Sequence, residues 1–93
     1  MFTPLASADI EAAFKWYEDQ RPGLGARFTE SLETLWDRLD RFPQAGPEVH
    51  HGIRRMLVPR FPYAVYYRLV ADQLEVRAVL HQHSDPSTWH QRT

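Results

Sequence analysis

The 93-residue sequence predicts an α+β fold, an antiparallel helix hairpin packed on one face of a small antiparallel β-sheet. Three observations predict it. Through the first half of the chain, apolar residues recur at helical spacing. After Pro47 the period falls to two, and β-branched and aromatic residues take over. Pro22 and Gly23 split the helical half, and so short a link folds two helices antiparallel.

The first helix starts at Thr3-Pro4, a capping side chain followed by a residue suited to the first helical position. Ser7 is a second candidate cap. Ile10, Ala13, Phe14 and Tyr17 form its expected buried stripe, and Gln20-Arg21-Pro22-Gly23 stops it. In the second helix Leu24, Phe28, Leu32, Leu35, Leu39 and Phe42 advance by three or four, with charges mostly opposite. Pro43 disfavours helical geometry at Phe42 and ends the element. Trp16, Trp36 and Tyr17 are expected in the core or the hairpin seam.

Three strands follow, over 53–58, 63–70 and 74–81, with Pro59 and Pro62 bracketing a kink and Ala71, Asp72 and Gln73 making a tight turn. Strict alternation puts Leu74, Val76, Ala78 and Leu80 on one face of the last strand, expected to lie under the helices. Glu75, Arg77, Val79 and His81 then share the other. Tyr66 is expected on the open face, and Tyr63 and Tyr67 beneath the helices. Asp85-Pro86 ends the sheet and starts a short helical turn carrying Trp89.

A chain this long holds one core, so residues 1–93 are expected to be a single domain. There are no cysteines, which excludes disulfide scaffolds, thiol nucleophiles and thiolate metal sites. No stretch approaches the ~18 consecutive apolar residues of a membrane span, and the start lacks the pattern of a secretory leader. A soluble cytoplasmic protein is expected. Net charge is −1, against a uniformly basic nucleic-acid binder. The charge is unevenly spread: residues 1–48 carry five basic and nine acidic groups, and residues 49–93 carry six and three. Arg54, Arg55, Arg60, Arg68, Arg77, Arg92 and all five histidines lie in the second half, which should meet any anionic partner.

The stretches ADIEAAFKWYEDQRPGLGARF at 8–28, IRRMLVPRFPYAVYYRL at 53–69 and VLHQHSDPSTWHQR at 79–92 resemble the RelE/ParE family of bacterial toxin–antitoxin toxins. The likeness is closest to its ParE-like, plasmid-stabilisation branch. The resemblance implies the order β-α-α-β-β-β, here with the first strand shortened, since only Met1 and Phe2 precede Thr3. It implies a toxin neutralised by a cognate antitoxin protein, with DNA gyrase as the target of ParE-like members and ribosome-bound mRNA as that of RelE-like members. The shortened strand would leave a sheet edge for the antitoxin or a second copy to cover; a homodimer and a toxin–antitoxin hetero-oligomer are both open.

Where RelE-like nucleases carry an arginine and then a tyrosine near the chain end, this sequence has His83 and Trp89. Trp89 can stack on a base but has no hydroxyl. For metal-independent RNA cleavage the catalytic candidates are Arg54, Arg55 and Arg60 as phosphate cations, and His81 and His83 as acid or base. Arg54 and Arg55 point to opposite faces of a regular strand, so only one can serve directly. Tyr66, Arg68, Arg77 and Trp89 are the target-binding candidates. The bland alternatives are solvated arginines and a strand-capping His81. Gyrase inhibition needs a binding surface only, and a degenerate toxin that only binds antitoxin stays open too. His81 and His83 make half a metal site, with His50, His51, His90 or Asp85 as the remaining candidate ligands; no metal and no cofactor is expected.

Overall fold

The computed structural model describes residues 1–92. Two helices, α1 (Pro4–Gln20) and α2 (Leu24–Arg41), precede four strands, β1 (Glu48–His50), β2 (Ile53–Leu57), β3 (Tyr63–Val70) and β4 (Gln73–His81). A short helix, α3 (Pro86–His90), follows. The strands form one antiparallel sheet in the order β1-β2-β3-β4. The expected class, the helix hairpin and the three main strands are all present. β1 and the closing of α3 over the sheet are additional.

Thr3 caps α1 by accepting the Ala6 N–H at 3.2 Å, with Pro4 in the first turn. Gly23 begins α2 with φ +90 and no side chain to cap it. Glu18 reaches across the link instead, accepting the N–H groups of Gly23 at 3.1 Å and Gly25 at 2.9 Å. A carboxylate is favoured there by the helix dipole. A side chain at Gly25 would press on Glu18 and Phe14, so this position sets how closely the helices approach.

The helix-side core joins Ala6, Ala13 and Tyr17 of α1 to Phe28, Leu32, Leu35 and Leu39 of α2, over Val65, Tyr67, Val76 and Val79 of the sheet. Phe61 inserts from the β2–β3 link, its ring 4.9 Å from Tyr17 and 5.2 Å from Phe28. Three aromatic expectations need correction. Phe14 lies at the partly exposed helix crossing, Trp16 is 57 % exposed beside Tyr17, and Phe42 is 62 % exposed because α2 ends before it. Ser7 lies inside α1 and is not its cap.

β4 departs from simple alternation. Tyr66 pairs with Ala78, yet Tyr67 pairs with Val76, so Arg77 is an extra residue in a bulge. One inserted residue exchanges the two faces beyond it. Leu74 and Val76 lie under the helices as expected, but from Ala78 onward the assignment inverts. Val79 joins the helix-side core, while Ala78 and Leu80 pack on the opposite face with Ile53, Ala64, Tyr66 and Trp89.

The chain's first residues run parallel to β4 through a bridge between Phe2 and Val76. Val76 N–H donates to the Met1 carbonyl at 2.9 Å and Thr3 N–H to the Val76 carbonyl at 3.0 Å. Further along the same edge, Val79 N–H donates to the Asp9 carboxylate at 3.0 Å. The expectation of an open edge is therefore corrected here: the chain's own start and α1 cover part of it.

Candidate functional site

The face of the sheet turned away from α1 and α2 carries Arg55 and Tyr66, opposite each other on β2 and β3. Arg55 Nε donates to the Tyr66 hydroxyl at 3.2 Å, and its guanidinium lies 5.9 Å from the centre of the Tyr66 ring. This face is not bare. α3 folds across it, and Trp89 stacks on Tyr66 with ring centres 4.6 Å apart and planes 20° apart. Tyr66 is 4 % exposed and Trp89 7 %. The local sequence explains the fold-back: the Asp85 carboxylate accepts the Ser87 N–H at 2.9 Å, and Pro86 begins the turn that aims Trp89 at the sheet. The same hydrogen bonds hold the Asp85 carboxyl below its ordinary range.

Arg54, Arg68 and Arg77 are engaged within the protein. Arg54 points to the helix side, where its guanidinium donates to the carbonyls of Gln44 at 3.2 Å and Gly46 at 2.7 Å. Arg68 and Arg77 converge on Glu75 at 3.2 Å and 2.6 Å, and Arg77 also donates to the Arg92 carbonyl. These bonds, the one from Arg77 foremost, hold Glu75 below the usual carboxylate range. Arg60 stands in the β2–β3 link at φ +68, near Arg27, Glu30 and Phe61 beside α2.

His81 and His83 lie elsewhere. His81 pairs with Tyr63 on the helix side of the sheet, and its Nδ1 accepts the His83 N–H at 3.2 Å. Together with Asp9, Ala12, Trp16, Tyr63 and Ser84, His81 lines a groove along α1. Burial, helped by the Asp9 charge, raises the Tyr63 hydroxyl above its ordinary value. The structure thus gathers Arg55, Tyr66 and Trp89 but separates them from both histidines, from Arg54 and from Arg60. Arg68 and Arg77 adjoin the gathered face only as partners of Glu75.

Two further histidines complete the gathered group. The His50 and His90 rings stack 4.1 Å apart and 16° from parallel, with His51 4.2 Å from His50 and Trp89 5.8 Å away. In the sequence His50, His51 and His90 count only as extra metal ligands. The missed signal is the pair His50-His51 before Gly52, which marks the β1–β2 turn and brings it against α3. Among the described residues no three His, Cys, Asp or Glu side chains converge as metal ligands.

A mainly apolar hollow of about 590 Å³ lies between Phe42, Pro43, Ala45 and Leu69. Exposed Met1, Phe2 and Leu5 add apolar surface near the start of α1. Among the described residues no helix is long and apolar enough to cross a membrane.

This helix hairpin on one side of a small antiparallel sheet goes with a sequence match to the toxins of type II toxin–antitoxin systems. Within that class the chain belongs to the ParE toxin family: the model for the ParE toxin of the type II system parDE matches residues 1–86. Among solved structures, the chromosomal ParDE toxin–antitoxin system from P. aeruginosa contains a chain of similar fold, with a TM-score of 0.64. The match spans 86 % of this chain and 90 % of that one at 15 % identity, a likeness of fold alone. No curated protein matches the sequence.

Proposed function

We propose that this ParE-family chain is held inactive by a cognate antitoxin protein and, when free, inhibits DNA gyrase rather than cutting RNA. The observation that carries this reading is the separation of His81 and His83, the acid–base candidates, from Arg54 and Arg55, while the histidines nearer Arg55, His50 and His90, are stacked on each other. Cleavage through a 2′-hydroxyl needs a base, an acid and cations around one phosphate, each within about 3 Å of its atom. His81 and His83 sit along α1, whereas Arg55 is on the opposite face of the sheet and Arg54 is bound to loop carbonyls. A protein that traps another enzyme needs a surface instead. The apolar hollow between Phe42, Pro43, Ala45 and Leu69 supports a protein partner, since contiguous apolar surface on a small chain is commonly covered by one. The ParDE system to which the solved relative belongs supports an antitoxin as that partner. The reading takes residues 1–93 as one domain acting in the cytoplasm without a cofactor, and serving plasmid stabilisation.

The test is expression with and without the adjacent reading frame. The purified toxin is then assayed for trapped DNA breaks with gyrase and for mRNA cuts with translating ribosomes. Growth arrest relieved by the neighbour, together with gyrase-dependent breaks, is the expected result. Cut transcripts without breaks would overturn it in favour of ribosome-dependent cleavage. In that case His83→Ala shows whether His83 takes part. Binding to the neighbour with neither activity would mark a chain that only pairs with its antitoxin.

A further inference from the structure

The contact between the β1–β2 turn and α3 is built from titratable rings. α3 has five residues, far too few to persist as a helix by itself, so its place depends on what it packs against. Its ring contacts are Trp89 in the cluster of Ile53, Ala64, Tyr66, Ala78 and Leu80, and His90 stacked on His50, while Arg92 just beyond it is tied to Asp9 and Arg77. Neutral imidazoles stack without penalty at 4.1 Å, whereas two imidazolium ions at that distance repel. We propose that His50 and His90 form a proton-operated latch that keeps α3 over Tyr66, so that acidification frees Trp89 and uncovers the Arg55–Tyr66 surface.

The charges around the latch set its direction. On β1, His50 has Glu48 two residues away, with one carboxylate oxygen engaged by the Gly52 N–H at 3.2 Å. The turn contributes His51, 4.2 Å from His50. β2 contributes Arg55, a permanent cation. β3 and β4 face α3 with Ala64, Tyr66, Ala78 and Leu80, none of them charged at neutral pH. Past α3, Arg92 is neutralised by Asp9, and Arg77 is paired with Glu75. On α3's own side, Asp85 stands at the start of the helix, its carboxylate occupied by the Ser87 N–H but still within the influence of His90. Asp85 and Glu48 oppose release, and the three histidines and Arg55 favour it.

Burial first, then the charges of His90 and His51, hold His50 below the ordinary imidazole value. A group depressed in the docked state binds its proton more readily once released. Docking is therefore fully supported above the ordinary histidine range near 6.5 and weakens as pH falls through the docked value. The latch needs no target to be observed. Only the importance of the surface it uncovers rests on the toxin reading.

The experiment uses the full chain, following the Trp89 indole resonance and amide exchange at 87–90 by NMR from pH 8 to pH 5, corrected for intrinsic exchange. A several-fold loss of protection in α3, with β3 and β4 still protected, is expected for the wild type. His50→Gln and His90→Gln should each abolish most of that pH dependence. An unchanged α3 across the range would overturn the latch. So would a pH response in both variants equal to that of the wild type, or a loss of protection in the whole sheet together with α3. The gyrase assay at pH 8 reports on the toxin reading separately, because α3 is docked there whichever way the latch test falls.

Discussion

Asp9 and Arg92 stand 83 positions apart in sequence and 2.5 Å apart in space, where both Asp9 oxygens receive the Arg92 guanidinium. The same carboxylate accepts the Val79 N–H on the edge of β4. One residue of α1 therefore holds the end of the chain and the sheet edge together. The Arg92 and Asp9 side chains are only 16 % and 13 % exposed, so solvent screens the pair weakly. Asp9→Ala strands a guanidinium and a backbone donor, and should lower unfolding stability by roughly 2–4 kcal/mol. Asp9→Asn keeps an acceptor for Val79 and should fall between. Urea midpoints measured for the three proteins decide it, and equal midpoints would exclude this role.

Tyr67 has a comparable role in the link between α2 and β1. Its hydroxyl donates to the Pro43 carbonyl at 2.8 Å and accepts the Gly46 N–H at 3.0 Å. A side chain added at Gly46 would press on the Tyr67 hydroxyl, Met56 and the Arg55 carbonyl, so the link lies close on the sheet here. Tyr67→Phe should cost about 1–3 kcal/mol with no change in secondary structure, since it leaves a buried donor unpaired. Arg54→Ala removes two further bonds to the same link and should likewise lower the midpoint. If Arg54→Ala abolished toxicity while leaving stability untouched, Arg54 would be a functional residue and its structural role secondary.

Acid sensitivity should have a component from Glu75. Hydrogen bonds from Arg77 and Arg68 depress its folded value, against the opposing effect of burial. The stabilisation is then complete above the ordinary carboxylate value, and is lost as pH falls through the lower folded value. The urea midpoint should decline between about pH 5 and pH 3, and Glu75→Gln should flatten that part of the curve. A Gln variant that declines as steeply as the parent would assign the acid sensitivity to other carboxylates.

The helices and main strands were legible because their signals are local. Thr3-Pro4, the stripe from Phe28 to Leu39, and Pro43 each state their role within a few residues. β1 was missed because three residues carry no period; only the turn at His51 and Gly52, both with positive φ, betrays the hairpin. The candidate site was read less well, since its geometry depends on tertiary contacts. Tyr66 was correctly placed opposite the helices, but nothing in its own strand tells that Trp89 covers it. Arg68 and Arg77 read as free cations because their common partner Glu75 was just another charge on the strand.

The bulge at Arg77 offers the sharpest separation between pattern and structure. Alternation along β4 makes Leu80 a helix-facing residue and Val79 an outward one, and the shift between Tyr66 and Tyr67 reverses them. Val79 is 1 % exposed in the principal core, whereas Leu80 is only partly buried at the edge of the smaller cluster under Trp89. A polar substitution should therefore discriminate. Val79→Ser should cost about 2–4 kcal/mol, combining lost apolar burial with a hydroxyl that has no partner. Leu80→Ser should cost less and act chiefly on the docking of α3, visible as greater solvent exposure of Trp89 with β3 and β4 still protected from exchange. The reverse ranking in urea unfolding would mean that β4 runs in regular alternation and that Arg77 is an ordinary paired residue.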